Sequence, residues 1–125
     1  RLRIHTRLPI VIPSRVDESL KQLLQQSRLS KWVVLHANHA NELDAEVEDC
    51  VKRLRQSGCN VLNQAVLLRG INDTFDAQRM LCERLIDTGV TPYYLHQLDK
   101  VYGAERYEVS VEVGERIVSQ LRGVL

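Results

Sequence analysis

Four short runs of β-branched, aromatic and aliphatic residues recur in the sequence, with starts about thirty residues apart: Leu2-Arg3-Ile4-His5, Trp32 to His36, Asn60 to Gln64 and Tyr93 to Leu98. That interval is the length of one strand-plus-helix unit. Between the runs the apolar period changes from 2 to 3.6. Val16, Leu20, Leu23 and Leu24 fall on one helical stripe, Leu43, Val47, Cys50, Val51 and Leu54 on a second. Leu81, Cys82, Leu85 and Ile86 make a third, and Val113, Ile117, Val118 and Leu121 a fourth. Each stripe needs a sheet to cover. The punctuation agrees: Ser14-Arg15-Val16-Asp17 and Asn41-Glu42-Leu43-Asp44 have the form of capping boxes with Asp in place of Glu, which makes Asn41 an expected N-cap. Gly58 and Gly89 fall where helix C-caps belong.

The expected fold is therefore α/β, four consecutive βα units. Strands that alternate with helices run parallel, because each crossover returns the chain to the same end of the sheet. Two architectures satisfy this, an open doubly wound sheet and part of a TIM-type barrel. No Gly-x-Gly-x-x-Gly turn follows any of the strands, which weakens the dinucleotide-binding form of the first.

A length of 125 residues, with 44% hydrophobic and 26% charged residues, suits one domain with a real core, expected to take in residues 1–125. Arg1 opens inside a strand and Leu125 closes on a helix, so the chain reads as a piece of a longer protein. The net charge is +1 and the Lys and Arg residues are scattered, which disfavours nucleic acid as a partner. No apolar stretch approaches the roughly 20 residues that span a bilayer, and no signal pattern opens the chain, so a cytoplasmic protein is expected. Cys50, Cys59 and Cys82 are an odd count without Cys-x-x-Cys spacing and read as reduced structural thiols.

In both architectures the functional edge lies at the C-terminal ends of the strands. Polar residues gather there four times over: His5, Thr6 and Arg7; His36, Asn38, His39 and Asn41; Asn63, Gln64 and later Arg69; His96, Gln97 and Asp99. Each residue taken singly reads as a turn or cap former, but four clusters in register point to a site. His36-x-x-His39 with Asp99 could hold a metal as in barrel hydrolases, although the pair straddles a turn and the spacing is weakly specific. Arg7 and Arg69 read equally as surface salt-bridge partners or as anchors for a carboxylate or phosphate. Tyr93 and Tyr94 should alternate, one toward the lumen and one toward the helices.

Arg3-Ile4-His5-Thr6-Arg7-Leu8-Pro9, Asn38-His39-Ala40-Asn41-Glu42, the stretch from Asn63 to Asp73, and Pro92-Tyr93-Tyr94 followed by Asp99 resemble, in order and spacing, the lysine 2,3-aminomutase family. The stretch Tyr94 to Val101 with Gly103-Ala104 is most similar to the branch that makes β-lysine for elongation factor P. The resemblance implies a radical S-adenosylmethionine barrel. In such enzymes a reduced 4Fe-4S cluster cleaves S-adenosylmethionine to a 5′-deoxyadenosyl radical, which acts on lysine held as an imine of pyridoxal phosphate. It implies free lysine as substrate, with Asp99 against its side-chain ammonium, and a link to elongation factor P and its ligase. His36, Asn38, His39 and Gln64 become candidates for the adenosyl or pyridoxal groups, and Arg7 and Arg69 for cofactor anions. The family's Cys-x-x-x-Cys-x-x-Cys cluster motif and its pyridoxal-binding lysine segment are absent from the sequence. The chain is then expected to be the C-terminal part of the barrel, with no catalytic residue or metal ligand of its own, inactive alone and needing the remainder of the barrel. Its two open strand edges, Leu2 to His5 and Tyr93 to Leu98, are expected to drive self-association. A non-catalytic half-barrel binding domain is the competing expectation.

Overall fold

In a computed structural model, which describes residues 1–98 and 105–125, the four runs become β1 (Leu2–His5), β2 (Lys31–His36), β3 (Cys59–Leu67) and β4 (Thr91–Gln97). They form one parallel sheet in the order β1-β2-β3-β4. This order decides between the two architectures. A doubly wound sheet reverses direction at a switch point and carries helices on both faces. Here every strand is laid beyond its predecessor in the same direction, which is the winding of a barrel, and the fold is a partial α/β barrel of TIM type.

The helices are α1 (Leu8–Val11), α2 (Glu18–Gln26), α3 (Ala45–Gln56), α4 (Phe75–Thr88) and α5 (Val111–Arg122). They cover one face of the sheet. Leu24 of α2, Val47, Cys50 and Leu54 of α3, and Leu81 and Leu85 of α4 close on Val33, Leu35, Val61 and Ala65. A second cluster of Leu67, Cys82, Ile117 and Leu121 docks α5 beside the end of β3. Because side chains alternate along a strand, Arg3, His5, His36 and Gln64 project from the opposite face.

Several expectations need correcting. β3 extends to Leu67, beyond the expected end at Gln64, because Val66 and Leu67 still pair with His96 and Gln97. The helix caps are the aspartates of the two boxes rather than Ser14 and Asn41. Asp17 accepts from Leu20 N–H at 2.9 Å and Asp44 from Val47 N–H at 2.9 Å. A carboxylate opposes the positive end of the helix dipole, and the residues before each Asp are spent on 3₁₀ turns at Pro13–Arg15 and Ala40–Glu42. Leu23 and Ile86 lie outside the core at 66% and 51% exposure, so their buried stripes are narrower than the periodicity implies. Tyr93 and Tyr94 do not part to opposite faces: a register shift at Asn63/Gln64 sets two residues against one, and the rings meet edge to face at 4.2 Å.

Two local devices hold the layers in place. Gly89 ends α4 with φ of 92°, a left-handed cap that suits glycine. Lys31 is buried, and its Nζ donates to the Leu24 carbonyl at 2.6 Å, a cation on the C-terminal end of α2.

Candidate functional site at the strand ends

The loop after β2 is built by Glu42. Its Oε1 accepts from the backbone N–H groups of Asn38 and His39 at 2.8 and 3.1 Å, while its Oε2 pairs with Arg7 at 3.2 Å. His39 completes the turn by accepting the Asn41 N–H on Nδ1 at 3.1 Å, so its proton is on Nε2. Asn38 turns its amide oxygen to the Val66 N–H at 2.9 Å, tying the β2 loop to β3. The turn is thus held by hydrogen bonds among the chain's own residues.

On the sheet face that carries no helix, Gln64 lies at the centre. Its amide nitrogen is 2.8 Å from His5 Nδ1 and its oxygen 2.9 Å from His96 Nε2. Gln64 and His36 are register partners in β3 and β2, and the His36 ring stands 6.4 Å from that of His5. Burial holds the His36 imidazole below its ordinary titration range, and His5, Arg7 and His96 push it further the same way. Arg3 donates from Nε to His5 Nε2 at 3.0 Å and sets its guanidinium over the Tyr93 ring. The Tyr94 hydroxyl is raised, chiefly by its hydrogen bond with Tyr93, and its ring lies 5.2 Å from that of His96.

The structure therefore brings two of the expected residues, His36 and Gln64, together with His5 and His96. It sets Asn38 and His39 in the adjoining loop after β2, and Arg7 between β1 and α1, tied to that loop through Glu42. Arg69 is exposed and lines a cleft with Gln97, Leu98 and Glu108, its backbone N–H donating to the Tyr107 carbonyl at 2.8 Å. Asp99 lies outside the described residues. Arg3 and Asn72 fall within the quoted motifs but are not singled out there as site candidates. Arg3 shares strand parity with His5, which is the signal that could have found it. Asn72, fully buried, bridges the Asn38 and Val66 carbonyls, and its place in the Asn63 to Asp73 stretch is the signal that could have found it.

No Asp or Glu occurs in any of the four strands. The bare face offers imidazole, amide, phenol and guanidinium groups, a donor set that fits a heteroaromatic ring or an anionic group such as adenine, a carboxylate or pyridoxal phosphate. It does not fit an iron–sulfur cluster. Cys50, Cys59 and Cys82 are free and buried in α3, β3 and α4, and burial pushes their thiols up, that of Cys50 to about 11. Among the described residues no three potential ligands converge on a metal position, and Asp99, the third member of the expected hydrolase set, lies outside them. No helix among them is long and apolar enough to cross a membrane.

No family model matches the chain. It is 47% identical over 121 residues to the L-lysine 2,3-aminomutase of Escherichia coli (strain K12), covering 97% of this chain and 35% of that protein. Against the L-lysine 2,3-aminomutase of Clostridium subterminale it is 35% identical over 122 residues, covering 98% of this chain and 29% of the other. The fold matches a radical SAM methyltransferase from Sphaerobacter thermophilus with a TM-score of 0.64 at 20% identity, over 98% of this chain and 38% of that one. The chain spans about a third of the length of the curated relatives it matches. Along nearly the whole of its length the chain is homologous to the L-lysine 2,3-aminomutases.

Proposed function

We propose that residues 1–125 form one unit that supplies a wall of an L-lysine 2,3-aminomutase active site, in the branch that provides β-lysine for elongation factor P and its ligase. The single observation that carries this reading is the His5–Gln64–His96 network, set across three strands on the helix-free face of a chain homologous to these enzymes. S-adenosylmethionine, a 4Fe-4S cluster and pyridoxal phosphate would supply the radical and electron-sink chemistry, with the cluster held by residues outside this stretch. This chain binds and orients. His36 and Gln64 offer hydrogen bonds and a ring edge to the adenosyl or pyridoxal part, with Asn38 and His39 as the loop beside them. Arg7 and Arg69 supply charge for a carboxylate or phosphate, and Asp99 takes the ammonium of the substrate lysine. Low basicity at His36 keeps that imidazole neutral near pH 7, so it acts as a hydrogen-bonding group rather than a repelling cation.

The test is an anaerobic lysine assay with reductant and all three cofactors, on a full-length protein that contains this stretch. β-Lysine should form there, and the 125-residue chain alone should make none. Asp99→Asn should lower lysine turnover roughly ten- to a hundredfold, the effect of losing a charge-assisted hydrogen bond of about 1.5 to 3 kcal/mol. Lysine turned over equally by parent and Asp99→Asn would remove the assigned substrate contact, and no β-lysine from the full-length protein would remove the reading.

A further inference from the structure

We infer that Arg3 is a positioning residue that imposes one hydrogen-bond direction on the chain Arg3→His5→Gln64→His96, so that His96 presents an Nδ1–H donor from the bare face. The argument is a donor count. Arg3 can only donate, and its Nε lies 3.0 Å from His5 Nε2, so that nitrogen must carry a lone pair. A neutral imidazole then holds its proton on Nδ1. That atom is 2.8 Å from one end of the Gln64 amide, which must therefore be the oxygen, since an NH₂ there would make His5 accept at both nitrogens. Only an imidazolate accepts twice. The two amide orientations exchange oxygen and nitrogen at the same positions, and the neighbours choose between them. With its oxygen toward His5, Gln64 turns its NH₂ to His96 Nε2, 2.9 Å from the far end of the amide. His96 Nε2 accepts and its proton is on Nδ1, an atom with no hydrogen-bond partner among the described residues.

A fixed donor on strands without carboxylates selects for an acceptor atom at that position, a carboxylate or phosphate oxygen or a ring nitrogen, and disfavours an ammonium there. A protonated His5 would present two donors and lose the Arg3 bond, so the direction requires a neutral His5. This polarity stands whether or not the aminomutase reading does, and its test needs neither ligand nor turnover.

The test is long-range ¹H–¹⁵N NMR on protein labelled at its four histidines, assigned by single substitutions. His5 and His96 should both carry the proton on Nδ1. His39, whose Nδ1 accepts from the Asn41 N–H, should show the opposite tautomer and serves as an internal control. Arg3→Met should abolish the exclusive Nδ1–H signature of His5, and Arg3→Lys, which restores a donor, should recover it. Gln64→Glu, acceptor-only in place of the amide, should move the His96 proton to Nε2 while leaving His5 unchanged. Nε2–H at either His5 or His96 in the unsubstituted protein overturns the inference on its own, as does an Arg3→Met protein with both tautomers unmoved. Because the parent spectrum decides the direction, a variant that fails to fold does not shelter it.

Discussion

Asn63 and Gln64 stand side by side in one strand and in one sequence motif, yet replacing each by leucine should have opposite consequences. Asn63 faces the helices, is buried, and both accepts from the Ala37 N–H at 2.9 Å and donates to the Ala37 carbonyl at 3.0 Å. Leucine of similar volume fills the space but strands two backbone groups that are themselves buried, each at about 1 to 3 kcal/mol. Part of this is offset by apolar burial and by relaxation of the loop, so a net loss of about 2 to 4 kcal/mol is expected, with Tm lower by on the order of 10 °C. Gln64→Leu removes contacts on the face no helix covers and should change stability by less than about 0.5 kcal/mol. Urea unfolding followed by circular dichroism measures both, with the midpoint falling and the slope unchanged for Asn63→Leu. Equal costs for the two variants, or an Asn63→Leu loss below about 0.5 kcal/mol, would refute the division of this strand into a structural and a site-facing side.

Three further outcomes follow from local geometry. Gly89→Ala forces a side chain onto φ of 92° against Arg55 and should cost about 1 to 2 kcal/mol by the same unfolding measurement. The Cys50 thiol titrates higher in the folded chain than unfolded, so its contribution to stability is complete below the ordinary value of 9 and is lost as pH rises through about 11. Cys50→Ala should flatten that alkaline limb, and thiol reagents should reach Cys50 in the native protein only after unfolding. His36 is depressed instead, so its contribution is present above 6.5 and is lost as pH falls through its lowered value. His36→Gln should make the acid limb shallower, and a His36 NMR titration at or above the ordinary imidazole value would contradict the assignment.

The repeat is legible in the sequence because a change of period between 2 and 3.6 is a local property that survives without tertiary knowledge. The strand order is not local. β1-β2-β3-β4 is settled by which edges pair, and the same four βα units are compatible with a doubly wound sheet. The site clusters are legible as strand ends, but their division between faces rests on parity, and one extra residue defeats parity. The shift at Asn63/Gln64 places Tyr93 and Tyr94 together near Arg3, where strict alternation would separate them. The capping boxes mislead for a related reason. Pattern reading marks a four-residue window, while the choice between its first and last residue depends on whether a 3₁₀ turn precedes the helix.

The polar residues at the mouth divide by charge as well as by face, and the division explains why so many are amides. Asn72 donates to the carbonyls of Asn38 and Val66 at 2.8 and 2.9 Å and accepts from the Leu68 N–H at 2.7 Å. Gln78 donates to the Asn72 carbonyl at 2.8 Å, Asn38 accepts from Val66, and Asn63 clasps Ala37. These ties join the loops after β2 and β3 through groups that donate and accept without net charge. A carboxylate at Asn72 could accept from Leu68 but would set an oxygen against two carbonyls, and a lysine could donate twice but would leave the Leu68 N–H facing a cation. Only an amide meets all three backbone groups in a buried position without a charge to desolvate. These ties between the loops add no charge beside His36, while within the β2 loop the charge of Glu42 is paired with that of Arg7 rather than with a group on the strands. The bare face then takes its electrostatic character from Arg3 and the imidazoles, which is the character an acceptor-rich ligand requires.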